Sequence, residues 1–226
     1  MRILAAKLSI LLLMISALCA NAKEPIQVLV MGDSFMTSNG SDDLAVPDLI
    51  ERHLGAQVQS RAATGARFVY KLPITGALGL NISKQYRPGR WDWVVMNGGG
   101  NDLWLGCGCT RCKDRLNRLI SPDGTRGYIP ALVARARRSG AQVLYVGYLR
   151  SPGVGSPIEH CRAAGDALEA RVAVMAKRDG GVSFVSLADM VPHGDRSFHA
   201  GDMIHPSAKG SQAATTRIVE AMMAVQ

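Results

Sequence analysis

Aromatic side chains are scarce in this 226-residue chain, at 5% of the total. The basic residues are scattered (Arg87, Arg90, Arg111, Arg118, Arg135, Arg138) and not interleaved with aromatics. Without such stacking platforms a nucleic-acid partner is not expected. Long apolar runs are lacking too. The stretch Leu8 to Leu18 falls short of the roughly 20 residues that a membrane-spanning helix needs, so no stable membrane anchor is expected. There is no internal repeat, low-complexity tract or linker, which leaves one domain.

What is present near the start is a leader. Arg2 and Lys7 form a basic segment, Leu8 to Leu18 an apolar one, and Ala20-Asn21-Ala22 a small-residue cleavage site. Residues 1–22 therefore read as a signal peptide and 23–226 as the mature domain, exported to a periplasm or secreted. Losing Arg2 and Lys7 with the leader lowers the net charge from +8 to +6, a balance that favours anionic surroundings such as envelope polymers or lipid headgroups. Four of the five cysteines remain: Cys107, Cys109, Cys112 and Cys161. An even number in an exported chain reads as disulfides. A four-thiolate zinc site is the alternative, but paired Cys-x-x-Cys knuckles are missing. Four cysteines allow three pairings, among which the sequence does not choose.

In Ile26-Gln-Val-Leu-Val-Met31, residues Val28 to Met31 are a continuous apolar run that stops abruptly at Gly32-Asp33-Ser34. Unbroken rather than alternating apolarity suits a central parallel strand covered on both faces. Similar strands are expected at Trp91–Met96, Val143–Tyr148 and Val182–Leu187, and a short alternating one at 56–60, with helices at Leu44–Leu54, Tyr128–Ser139, about 158–177, and after Ser207. The segment 68–89 has no firm period and reads as loop with room for a short helix. A cysteine-bearing loop is expected after Asn101-Asp102. Alternating strands and helices predict a three-layer α/β/α domain with a mostly parallel, flavodoxin-like sheet.

Three turns and one Asp-x-x-His then fall at the expected carboxyl side of that sheet. Together they supply a nucleophile, a base with an orienting carboxylate, and oxyanion donors. The elbow Gly-x-Ser-x-Gly of α/β-hydrolases is absent, because Met36 stands where its second glycine belongs. Instead, Gly32-Asp33-Ser34, Gly65, Gly99-Gly-Asn101-Asp102 and Asp202-Met-Ile-His205-Pro206 resemble, in order and spacing, the four blocks of the SGNH (GDSL) hydrolases.

That resemblance implies Ser34 as nucleophile, His205 as general base and acid, and Asp202 as the carboxylate orienting the imidazole. It implies an oxyanion hole made of the Ser34 and Gly65 backbone N–H groups and the Asn101 side-chain amide. Neither metal nor organic cofactor is expected. The expected activity is hydrolysis of acyl esters, with a small-molecule, lipid, thioester or O-acetyl glycan substrate. An envelope O-acyltransferase on the same fold is the alternative, and a non-catalytic binding module the remote one. Trp104 and Leu105 are candidates for pocket walls. Asp102 is given no chemistry, and His53, His160, His193 and His199 no role.

Overall fold

The expected apolar runs form one sheet. In the computed structural model, which describes residues 24–70 and 79–225, the strands are β1 (Gln27–Met31), β2 (Gln57–Ser60), β3 (Trp93–Met96), β4 (Gln142–Val146) and β5 (Val182–Val185). The expected leader, residues 1–22, lies outside the described residues. The strand order is β2-β1-β3-β4-β5 and every pairing is parallel. The chain starts in the middle, steps out to β2, then crosses back to β3 on the other side of β1. Ligands of open α/β sheets sit where that direction reverses, outside the carboxyl ends of β1 and β3.

Seven α-helices flank the sheet among the described residues: α1 (Ser34–Thr37), α2 (Val46–Leu54), α3 (Gly100–Cys107), α4 (Lys113–Leu119), α5 (Tyr128–Arg137), α6 (Arg162–Ala176) and α7 (Ala208–Met223). The β1 sequence divides its residues between two cores because side chains alternate along a strand. Leu29 and Met31 join Val94, Met96 and Tyr145 beneath α3 to α6. Val28 and Val30 join Val95, Leu144 and Val146 beneath α2 and α7. All four of these β1 side chains are fully buried, each worth about 1.5–3 kcal/mol of apolar transfer. That double covering is why the run is apolar throughout.

The loop expected after Asn101 departs from expectation, because Gly100–Cys107 is helix α3. Gly99, at φ +94°, lets the chain turn sharply out of β3, and Leu103 buries the inner face of the helix. The expected helix at 158–177 begins only at Arg162, behind a 3₁₀ turn at Glu159–Cys161. The cysteines pair as Cys107–Cys112 and Cys109–Cys161. The first bond ties the end of α3 to the start of α4, and the second ties that junction to the start of α6. Closing the 52-residue loop of the second bond is worth about 4 kcal/mol if its effect is loss of unfolded-chain entropy. Cys109, His160 and Cys161 come within 4.8 Å of one another, but the two sulfurs are bonded to each other and offer no thiolate to a metal. Among the described residues, no helix is long and apolar enough to cross a membrane.

Candidate active site

A cavity of about 120 Å³ opens at the carboxyl end of the sheet, and Ser34, Asn101, Trp104, Tyr148 and His205 all line it. Leu105, expected beside Trp104, points to solvent at 56% exposure. Successive helix positions diverge by about 100°, so only one of this pair could face inward.

Ser34 is the first residue of α1, directly past β1. Its neighbour Asp33 caps the helix, accepting the Phe35 N–H at 3.0 Å. Gly32 sits at φ +145°, and a Cβ there would lie 1.7 Å from Asn97 Oδ1. Glycine is therefore required by both backbone and space. The gap is occupied by polar wiring. The Gly32 N–H donates to Gln85 Oε1 at 2.7 Å, and Gln85 Nε2 donates back to the Gly32 carbonyl at 2.8 Å. Asn97 accepts the Asp33 N–H and donates to its carboxylate. Tyr148 donates its phenolic proton to the same carboxylate and accepts the Gly100 N–H at 3.2 Å. Burial raises the Asp33 carboxyl above its ordinary value, while the hydrogen bonds from Tyr148, Phe35 and Asn97 pull it back.

Asn101 stands in the first turn of α3. Its amide donates one hydrogen to the Ala66 carbonyl at 3.2 Å, which orients the group and leaves the second hydrogen uncommitted. Asp102, fully buried, accepts the backbone N–H groups of Phe68 and Val69, both at 2.9 Å. Burial raises its carboxyl and those two N–H groups counter it. Together Asn101 and Asp102 clamp the turn that contains Gly65 onto α3. Gly65 itself is at φ +78° and takes the Tyr70 phenol on its carbonyl, but it is not in the cavity lining.

Asp202 and His205 lie on the loop before α7. Asp202 Oδ2 is 2.5 Å from His205 Nδ1, and Oδ1 accepts the backbone N–H groups of Ile204 and His205. This turn needs Met203 in the left-handed region, φ +57°, a strained conformation for a side chain of that size. It is held by the Met203 N–H to Ala200 and Ala200 N–H to His205 backbone bonds, and by the Ser156 hydroxyl on the Met203 carbonyl. Burial opposes ionisation of Asp202, but the His205 ring and the backbone N–H groups of Ile204 and His205 outweigh it and hold the carboxyl at about 2. Nδ1 is thereby committed to Asp202, and Nε2 is left as the ring's free nitrogen. Among the described residues no hydrogen bond of 3.5 Å or less joins Ser34 Oγ to His205. Such bonds commonly tighten only when substrate binds.

The two sides of the cavity are tied by Asn39, whose amide donates to the Pro206 carbonyl at 3.1 Å and to Ser211 Oγ at 2.8 Å. Sequence reasoning missed Asn39, Gln85, Asn97 and Tyr148, and it left Asp102 without a task. Nothing local marks them, since each acts through a partner at least 33 positions away. The disulfide Cys109–Cys161 also lines the cavity.

The model of the GDSL-like lipase/acylhydrolase family matches residues 30–213. A candidate SGNH hydrolase from Slackia heliotrinireducens is 22% identical with a TM-score of 0.58, covering 88% of this chain and 100% of that one. A candidate acylhydrolase from Bacteroides fragilis is 18% identical with a TM-score of 0.62, covering 90% of each chain. An acetyl xylan esterase from the rumen bacterium Butyrivibrio proteoclasticus is 14% identical with a TM-score of 0.53, over 88% of this chain and 64% of that one. No curated protein matches the chain.

Proposed function

Since the chain belongs to the GDSL-like lipase/acylhydrolase family and is thus an ester-bond hydrolase, we propose that it is an exported serine esterase acting through Ser34, His205 and Asp202. Ser34 Oγ attacks the acyl carbonyl and its proton passes to His205 Nε2. The C–O bond to the alcohol then breaks, and the alcohol leaves with that proton. Water adds to the acyl-Ser34 ester by the same route in reverse, releasing the acid. Asp202 holds the ring in the tautomer that presents Nε2 as acceptor, and it stabilises the imidazolium that forms. The developing oxyanion is met by the Ser34 and Gly65 N–H groups and the uncommitted N–H of Asn101.

The observation that carries this reading is the Asp202–His205 pair at 2.5 Å on the rim of the cavity that Ser34 and Asn101 also line. The modest cavity favours short acyl groups over long lipid chains. An O-acetyl glycan is the substrate class we favour, and the likeness to an acetyl xylan esterase makes it a natural first trial. The test is labelling with a fluorophosphonate, followed by peptide mapping and assay on p-nitrophenyl esters from acetyl to palmitoyl alongside acetylated polysaccharides. A single label on Ser34, lost activity, and a preference for short chains are expected. A label elsewhere, or full activity in Ser34→Ala, rejects the mechanism.

A further inference from the structure

Away from the active-site cavity, a second groove of about 640 Å³ runs where the segment Ser83 to Pro88 crosses the last turn of α5. None of its lining residues lines the first cavity. Four of them are cations, Lys84, Arg87, Arg135 and Arg138, and none is an acid.

Their partners set them apart from the other arginines of the surface. Arg137, on the same helix, is paired with Asp179 at 3.0 Å, and Arg217 with Asp189. Among the described residues none of the four groove cations is in an ion pair with a carboxylate. The residues outside that description, 1–23, 71–78 and 226, include no Asp or Glu. Two of the four cations are nevertheless held in place. Arg135 donates to the Ser83 carbonyl at 2.8 Å and lies 5.0 Å from the centroid of the Tyr86 ring. Arg87 donates to the Lys84 and Tyr86 carbonyls. Neutral partners order a guanidinium without cancelling its charge, so less side-chain entropy is lost when an anion arrives.

A further mark is Ser83, whose hydroxyl is buried and, among the described residues, has no hydrogen-bond partner. Buried donors left unmatched are rare, and this one lies in the groove wall beside Arg135. Attraction of cations to the carboxyl end of α5 accounts for Arg138, but not for Lys84 or Arg87, which lie on a different segment.

We propose that this groove binds a polyanionic glycan, a carbohydrate strand bearing sulfate, phosphate or carboxylate groups, at a site separate from the catalytic cavity. Membrane-surface binding needs apolar side chains beside the cations, and among the described residues none of the exposed large hydrophobic ones lines the groove. Base-stacking recognition has no platform here, because Tyr86, the groove's one aromatic, is buried beneath Arg135.

The test compares two triple variants of equal net charge. One removes groove cations (Lys84→Gln, Arg87→Gln, Arg138→Gln), and the other removes exposed cations elsewhere (Arg52→Gln, Lys113→Gln, Arg178→Gln). Binding to heparin at low salt should weaken by about tenfold or more in the groove variant and by much less in the control, with a flatter salt dependence only in the first. Hydrolysis of a small p-nitrophenyl ester should match wild type in both, and matched far-UV circular dichroism verifies the fold. Equal weakening in the two variants would reduce the effect to overall charge and overturn the site. So would groove-dependent binding to phosphatidylglycerol vesicles, or to single-stranded DNA, with none to heparin.

Discussion

The two sides of the active-site cavity are built by opposite means. On the Ser34 and Asn101 side, most supporting bonds are long-range and wholly or partly buried: Gln85 to Gly32, Asn97 and Tyr148 to Asp33, Asp102 to Phe68 and Val69. On the Asp202 and His205 side the decisive bonds span two or three residues and are exposed. The first side is rigid because breaking any bond leaves a buried polar group unmatched, a cost of about 1–3 kcal/mol apiece. The second is precise because a tight turn leaves few other conformations. Rate and stability should therefore separate between the two sides.

The largest expected effect on rate lies on the exposed side. Asp202→Asn should lower kcat by about 10⁴, because the amide no longer selects the tautomer that frees Nε2, while the thermal midpoint falls by no more than a few degrees. A kcat within tenfold of wild type would remove Asp202 from the reaction. Next comes Asn101→Ala, for which a loss of about 10²–10³ in kcat with little change in KM is expected for one oxyanion donor. If KM rose and kcat held, the amide would be a ground-state binding group instead.

Asp102→Ala reverses the pattern. It strands two buried N–H groups and should cost about 2–3 kcal/mol of stability, read by urea denaturation. Activity should fall as well, because the Gly65 turn is no longer clamped to α3. An active variant with unchanged stability would show that the clamp is redundant.

The smallest effect concerns pH. Asp202 is held at about 2 against an ordinary value of 3.8. A lowered carboxyl contributes stability that is present above the unfolded value and is lost as pH falls through the folded one. The stability gap between wild type and Asp202→Asn should therefore be widest above pH 3.8 and close as pH approaches about 2. A gap that does not change over this window would mean that the pair adds nothing to folding.

The same division explains what could be read in advance. Asp202-x-x-His205 announced itself because its geometry is intrachain and local, and β1 did so because burial on both faces demands apolarity at every position. Gly32-Asp33-Ser34 was legible as a strand exit, and Gly98, at φ +152°, and Gly99, at +94°, use the freedom that three successive glycines offer. Local propensity favours a loop at α3, because its cysteines and glycines weigh against helix. Tertiary burial of Leu103 and the Asp102 clamp override that preference.

By itself the sequence determined the alternation of strands and helices, the apolar core strands and the four blocks, three of which line the cavity, since these follow from periodicity and from chemistry within a few residues. Tertiary structure alone decided which cysteines pair, that Asp102 serves the Gly65 turn rather than the reaction, and that Tyr148 reaches Asp33 across 115 positions. It also decided which arginines would stand without a carboxylate. All of these depend on distances between segments remote in the chain, and those distances exist only once the sheet has brought the segments together.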